Sequence, residues 1–137
     1  MSRPKSREAA IKIIYQNGFL ESEPEKVLDT YYLACEEEEV KNLDREFIKD
    51  IVLGVTSHME ELDGLIEEFS KEWTLDRMSR VDIAVLRVAI YEMLYRPDIH
   101  TSVSINEAVE FAKKYSYEDA GSFVNGILGG IYSAKCC

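Results

Sequence analysis

The sequence predicts an all-α protein, a compact single-domain bundle of six or seven helices. Apolar residues recur at three- and four-residue spacing along most of the chain, whereas strand-like alternation is confined to one short stretch without a partner strand. A serine and an acidic residue stand three positions apart before several apolar runs, which is the spacing of a helix-capping box. With 137 residues, 46% of them apolar, the chain is long enough to bury a core as one domain over 1–137.

Three helices are predicted in the first half of the chain. Ser22 and Glu25 have capping-box spacing before the second of them, and Pro24 stands in its first turn, where proline is tolerated. The acidic run "EEEEV" at 36–40 is expected to form a solvated loop. The predicted helices span about 6–19, 22–35 and 44–69, and the third carries the cleanest amphipathic pattern in the chain.

A central helix is predicted after a short connector. Ser79 and Asp82 have capping-box spacing before a segment that is apolar nearly all round and that stops at Pro97. A helix of this kind needs neighbours on most sides. The connector, "KEWTLDRM", is expected to bury Trp73 or Leu75.

Two further helices are predicted near the C-terminus. Ser104 and Glu107 repeat the capping-box spacing, so "TSVSI" at 101–105 is expected to be a loop. The last helix spans about 119–133, and residues 134–137 are expected to be disordered. This helix carries several glycines, each unfavourable in a helix by about 1 kcal/mol relative to alanine. They are expected to let another helix or a ligand come close.

Few residues have the arrangement of a catalytic or metal site. His58 and His100 lack the spacing of a metal-binding pair, and no cysteine stands near either of them in sequence. "GILGG" has the glycines of a phosphate loop but not its Lys-Ser/Thr pair. The sequence therefore predicts no enzyme, no metal and no cofactor.

Targeting signals are not evident in the sequence either. No apolar run approaches the roughly 20 residues needed to cross a bilayer, and no apolar block follows the charged N-terminus. The three cysteines, two of them at 136–137, do not form a disulfide framework and are typical of a reducing compartment. A cytoplasmic protein without a membrane partner is expected.

Charge is distributed unevenly along the chain. The net charge is −10, but residues 1–20 carry a net charge of +3. Residues 21–72 hold 17 acidic and 5 basic residues, a net charge of −12, and residues 73–137 are nearly balanced at −1. A polyanion would therefore have to avoid the middle segment and contact the two ends of the chain.

Two groups of residues are candidates for nucleic-acid binding. Arg3, Lys5 and Arg7 form a basic N-terminal arm at 1–7 that could contact phosphates, although a disordered basic tail has the same composition. Phe123 could belong to the core, or it could be a ring on which a base stacks. Composition alone leaves both alternatives open.

Several motifs together resemble the NusB family of transcription antitermination factors. The resemblance covers essentially the whole chain and is carried by "SREAAIKIIYQ", "LDREFIKDIVLGV", "RVDIAVLRVAIYEMLYRPDI", "SINEAVEFAKKY" and "EDAGSFVNGILGGI" in this order. It implies binding of a boxA sequence in single-stranded leader RNA together with NusE, a small-subunit ribosomal protein. It further implies read-through of terminators in ribosomal RNA operons, within an elongation complex that holds other Nus factors. The resemblance leaves monomer and homodimer both open.

The resemblance also assigns site residues. The family's arginine-rich arm falls on the three N-terminal cations, and its RNA-facing surface continues to Tyr15. A surface acid near the NusE contact corresponds to Asp82. The family's "ED…FVNG" corner falls on Glu118, Asp119, Phe123, Val124, Asn125 and Gly126.

Two departures from the family pattern remove donors or positive charge from this surface. Pro4 and Ser6 interrupt the arginine run, and Gly121 and Ser122 stand where family members carry His and Lys. Two alternatives to the implied function are a purely protein-binding helical adaptor with a loose basic tail and a free-standing accessory module for RNA modification.

Overall fold

Every described element of secondary structure in this protein is a helix. The computed structural model describes residues 2–20, 23–71 and 73–136. These residues form eight α-helices in two compact units, Met1–Ser57 and His58–Cys137. The predicted all-α class is confirmed, and the described residues hold more helices than the six or seven predicted. That residues 1–137 form one domain stays a prediction.

The N-terminal unit contains four helices. The first helix, α1, packs against the second and the fourth, and the second also contacts the fourth. Apolar side chains from these three helices form its core, among them Ile13, Ile14, Val27, Leu28, Ile48, Ile51 and Val52. The helices are α1 (Arg3–Leu20), α2 (Pro24–Ala34), α3 (Glu37–Lys41) and α4 (Arg45–Ser57).

Two boundaries in this unit differ from the prediction. α1 begins at Arg3, three residues earlier than expected, so the predicted basic arm is the first part of a helix. The acidic stretch predicted as a loop contains α3, whose first turn holds three glutamates. Negative charge at a helix N-terminus is favourable, and this explains why an acidic run can be helical. Ser22, the predicted cap of α2, lies outside the described residues.

The C-terminal unit also contains four α-helices. α6 packs against α5, α7 and α8, as expected of the central helix, and nine of its residues are buried. The Ser79 hydroxyl caps it by accepting a hydrogen bond from the Asp82 amide at 3.1 Å, which confirms the predicted start. The helices are α5 (Met59–Phe69), α6 (Arg80–Tyr95), α7 (Thr101–Tyr115) and α8 (Ala120–Ile131). A 3-10 turn, Leu75–Arg77, precedes α6, and a π-helical segment, Tyr132–Cys136, follows α8.

Two predictions about the helices of this region are wrong. The single helix predicted over 44–69 is interrupted at His58, whose φ of −111° and ψ of 18° are not helical. α7 begins at Thr101 and is capped by His100, whose Nδ1 accepts a hydrogen bond from the Ser102 amide at 3.2 Å. The stretch 101–105 is therefore the first turn of a helix and not a loop. The disordered end at 134–137 stays a prediction.

The α8 glycines serve different purposes. A Cβ at Gly121 would lie 2.9 Å from Lys113 Cγ, and one at Gly130 would lie 3.1 Å from Phe69 Cδ1. A Cβ at Gly126 or Gly129 would meet nothing within 4 Å. Only Gly121 and Gly130 therefore lie at close contacts with another helix. The other two glycines face open space.

Ser104, predicted as a helix cap, is a core residue instead. Its side chain is buried on α7, and its hydroxyl donates a hydrogen bond of 2.6 Å to Oε1 of the fully buried Glu92 on α6. A buried carboxyl group needs such partners, since it cannot reach water. This hydrogen bond links α6 to α7.

Ser104→Ala should lower the free energy of unfolding by about 1–3 kcal/mol, because it removes a hydrogen bond from a buried carboxyl group. Urea denaturation of both proteins measures the difference. Ser133→Ala, at an exposed position of the π-helical segment, is the matched control and should change stability by less than about 0.5 kcal/mol. Equal effects of the two substitutions would contradict the structural role of Ser104.

Candidate nucleic-acid interface

The start of α1 is fixed to the start of α4 by a buried hydroxyl group. Ser6 Oγ donates to the Ser2 carbonyl at 2.7 Å and accepts from the Asp44 amide at 2.8 Å. The Ser2 amide donates to the Asn42 carbonyl at 2.9 Å, and Asp44 Oδ1 accepts from the Phe47 amide at 3.1 Å. Residues 2–7 are thus bonded to the rest of their unit and do not form a loose tail.

The three N-terminal cations are not equivalent. Arg3 and Lys5 are exposed, whereas Arg7 is only 4% exposed. The guanidinium groups of Arg3 and Arg7, one helical turn apart, lie 4.3 Å and 5.6 Å from the centre of the Phe47 ring. The structure places Arg7 among buried residues and not on the predicted surface. Arg3 and Lys5 are the cations that remain accessible to an anion.

Other residues predicted from the resemblance are accessible. Tyr15 on α1 is 41% exposed. We call the residues just before α8 and in its first two turns the α8 corner (Glu118–Gly126). In it, Glu118, Asp119 and Asn125 are exposed and Phe123 is half-buried. Val124 is fully buried and belongs to the core. The roles of the accessible residues stay predictions.

Trp73, one of the two connector residues of which the sequence predicts one to be buried, carries a ring that contacts the α8 corner. It is 50% exposed, and its ring meets that of Phe123 edge to face at a centroid distance of 6.4 Å and an angle of 76°. The connector was predicted to bury Trp73 or Leu75, and neither of them is fully buried, since Leu75 is half-buried. The polar neighbours of Trp73 in "KEWT" were the available signal, because a core residue in a connector is seldom flanked this way.

Asp82, predicted as a surface acid near a protein contact, is fully buried. It is the third residue of α6, and its side chain faces Ser116 and Tyr117 beyond the end of α7 as well as Ser79. Burial raises the pKa of the Asp82 carboxyl group, and the hydroxyl groups of these three residues oppose that rise only in part. The predicted surface position is wrong, because the Asp82 side chain faces these hydroxyl groups and not solvent. The predicted contact with a protein partner stays a prediction.

The stability of the protein should depend on pH through Asp82. Because its pKa is raised above the ordinary 3.8 in the folded state, its favourable contribution is complete below that pH and is lost as the pH rises through the folded value. Asp82→Asn stays neutral and avoids this loss. The mutant should therefore gain stability relative to wild type between pH 4 and pH 7, as measured by urea denaturation at both values. If the stability of Asp82→Asn relative to wild type stays the same or falls from pH 4 to pH 7, the raised pKa of Asp82 is contradicted.

Neither a metal cluster nor a membrane span is found in the parts of the chain that the structure describes. No three or more His, Cys, Asp or Glu side chains there are grouped to hold a metal ion. None of the described helices combines the length and hydropathy that crossing a bilayer requires. Cys35 is a half-buried free thiol.

The fold and these surfaces define an all-helical binding protein, with accessible cations at the start of α1 and an exposed tryptophan ring against Phe123 in the first part of α8. Residues 4–133 match the family model described as the NusB family. The chain is 50% identical over 135 residues to the transcription antitermination protein NusB of Acetivibrio thermocellus, covering 98% of this chain and 91% of that one. The NusB of Ruminiclostridium cellulolyticum is 48% identical, with 96% and 88% covered. This chain belongs to the NusB family.

Solved structures agree with this assignment. The structure of T. maritima NusB matches with a TM-score of 0.85 and 33% identity over 98% of this chain and 92% of that one. A structure of the antitermination factors NusB and NusE in complex with dsRNA matches with a TM-score of 0.77 and 26% identity over 96% of each chain.

Proposed function

We propose that this protein is a transcription antitermination factor that binds boxA-type single-stranded leader RNA together with the ribosomal protein NusE. It acts in the cytoplasm as part of an elongation complex with other Nus factors, promotes read-through in ribosomal RNA operons, and is not an enzyme. The observation that carries the proposal is the 50% identity to an antitermination protein over 98% of this chain. The neighbouring complex of NusB, NusE and dsRNA supports RNA and NusE as the two partners.

The exposed rings favour an unpaired strand over a duplex. Bases within a duplex stack on each other, whereas the bases of a single strand can stack on protein rings. Tyr15 and Phe123 supply such rings. Glu118, Asp119 and Asn125 carry oxygens that accept hydrogen bonds from the exocyclic amino groups of bases, which phosphates cannot provide. The two carboxylates therefore favour the amino groups of bases and the 2′-hydroxyl groups of ribose over phosphates.

Electrostatics explain why a second partner is needed. Two single-strand phosphate contacts, by Arg3 and Lys5, give a slope of about −1.4 in log K against log salt. Binding through these contacts alone would weaken only about sevenfold between 50 and 200 mM salt, so they contribute modestly to affinity. The net charge of −12 over residues 21–72 suits a basic protein such as NusE and would increase its association rate.

The hydrogen bonds at the start of α1 support RNA binding over the purely protein-binding alternative. That alternative requires a loose basic tail, but Ser2 and Ser6 bond residues 2–7 to the start of α4. The ring of Phe47 lies under the Arg3 guanidinium and restricts its position. A cation ordered before binding loses less conformational entropy when a phosphate arrives.

Replacing Arg3 and Lys5 together by alanine should weaken binding of single-stranded boxA RNA by roughly ten- to thirtyfold at 0.1 M salt in the presence of NusE. The salt slope should fall in magnitude by about 1.4, because two phosphate contacts are lost. Fluorescence anisotropy of labelled RNA at several salt concentrations measures both quantities.

The matched control replaces Lys26 and Lys49, two exposed lysines of the same unit that are paired with Glu23 and Glu25. This control variant changes the net charge by the same amount as the Arg3/Lys5 variant and should leave the salt slope of RNA binding unchanged. Equal RNA binding by wild type and the Arg3/Lys5 variant would contradict the proposed contacts. Tighter binding of duplex than of single-stranded boxA RNA would contradict the proposed substrate.

A further inference from the structure

A groove in the C-terminal unit lies between the end of α5 and the exposed side of α8. Its volume is about 270 Å³. This is slightly below the range of roughly 300–1,000 Å³ typical of sites for drug-sized ligands. Among the residues that line it are Ser70, Lys71, Trp73, Ser122, Phe123 and Gly126. We call it the aromatic groove.

Two rings in the aromatic groove leave aromatic surface accessible. Trp73 is half exposed, although a large aromatic side chain usually buries most of its area. It meets Phe123 edge to face, so the two rings do not stack on each other. A third flat ring could therefore lie on Trp73 without displacing Phe123.

Two hydrogen bonds hold the backbone from the Trp73 carbonyl to the Leu75 amide in place. Ser70 is buried, and its hydroxyl donates to the Trp73 carbonyl at 2.6 Å. The Leu75 amide donates to Oε2 of Glu67 on α5 at 3.1 Å. These bonds fix the chain on which the ring is carried, and a fixed ring loses less freedom when a ligand stacks on it.

The remaining lining of the groove suits a nucleotide. Lys71, two residues before Trp73 in sequence, is exposed and adds a cation to the lining of the groove. Ser122 is exposed and offers a hydroxyl group, and Gly126 presents open backbone where a Cβ would meet nothing within 4 Å. A ring together with a cation and free backbone surface is the combination with which proteins bind single-stranded nucleic acids.

We propose that the aromatic groove binds one unpaired nucleobase of the RNA, stacked on Trp73, with an adjacent phosphate at Lys71. This inference rests on the proposed function and adds a second stacking ring to the one expected at Phe123. An amino-acid side chain of NusE is the competing occupant. The exposed Trp73 ring, with the Ser122 hydroxyl and the open backbone at Gly126 beside it, favours the nucleotide, because a base has a flat face for the ring and polar edges for the other two groups.

Trp73→Ala should weaken binding of single-stranded boxA RNA in the presence of NusE by about five- to a hundredfold, because one base loses its stacking surface. Trp73→Phe retains a ring and should lose less than about threefold. Tyr132→Ala is the matched control, since Tyr132 is a 41% exposed ring of the same unit outside the groove. It should bind RNA as wild type does.

The intrinsic fluorescence of Trp73 reports stacking directly, because this is the only tryptophan in the sequence. Addition of boxA RNA to the complex with NusE should quench the emission of the wild-type protein. The same titration with Trp73→Phe measures any change in fluorescence that comes from NusE. This change is subtracted from that of the wild-type complex. Quenching at the RNA concentration that saturates binding is the expected result.

Gly126→Ala tests the groove without removing a stabilising side chain. The added methyl group enters open space in the middle of a helix and should raise stability, while it narrows the groove and should weaken RNA binding at least threefold. Gly129→Ala is its control, because its Cβ also meets nothing within 4 Å and Gly129 does not line the groove. It should stabilise the protein and leave RNA binding unchanged.

Failure of this inference is distinguishable from failure of the proposed function. If the Arg3/Lys5 variant loses RNA affinity while the Trp73 and Gly126 variants bind RNA normally, the groove is not a base site and the proposed function stands. If Trp73→Ala weakens association with NusE in the absence of RNA, the occupant is a protein side chain and the inference is overturned. If no variant affects RNA binding, both are wrong.

Discussion

The hydroxyl group of Ser6 is the contact on which the N-terminal surface depends. It joins the first turn of α1 to Asp44, the residue before α4, and its burial reduces competition from water for both hydrogen bonds. Arg3, Lys5 and Arg7 all lie within four residues of it. Ser6 appeared in the sequence only as an interruption of an arginine run. In the structure it holds in place the cations on either side of it.

Helix content could be predicted from the sequence because apolar spacing and caps are local signals. The start of α6 illustrates this, since the Ser79 hydroxyl makes the hydrogen bond that its spacing predicts. Ser104 has the same spacing to an acidic residue but bonds to Glu92 on another helix, which no local pattern could reveal. The break at His58 was missed for a similar reason, because the apolar pattern continues through it.

The candidate site was predictable in composition but not in exposure. Arg7 and Asp82 are charged residues, and charge normally indicates surface, yet both are buried by contacts with residues distant in sequence. The connector shows the opposite error, because it was expected to bury Trp73 or Leu75, yet Trp73 is half exposed and Leu75 is only half-buried. In each case, the side of the helix or connector that faces the core depends on tertiary packing, which the sequence alone does not specify.

The proposed RNA contacts lie at the start of α1 and at the α8 corner. Backbone amide chemical shifts of the isotope-labelled protein, bound to unlabelled NusE and then titrated with single-stranded boxA RNA, test this most directly. We expect RNA to cause its largest shift changes within residues 2–7 and 118–126, beyond the changes that NusE alone produces. Saturable RNA binding with shift changes confined to α2, α3 and the exposed side of α4 would contradict it.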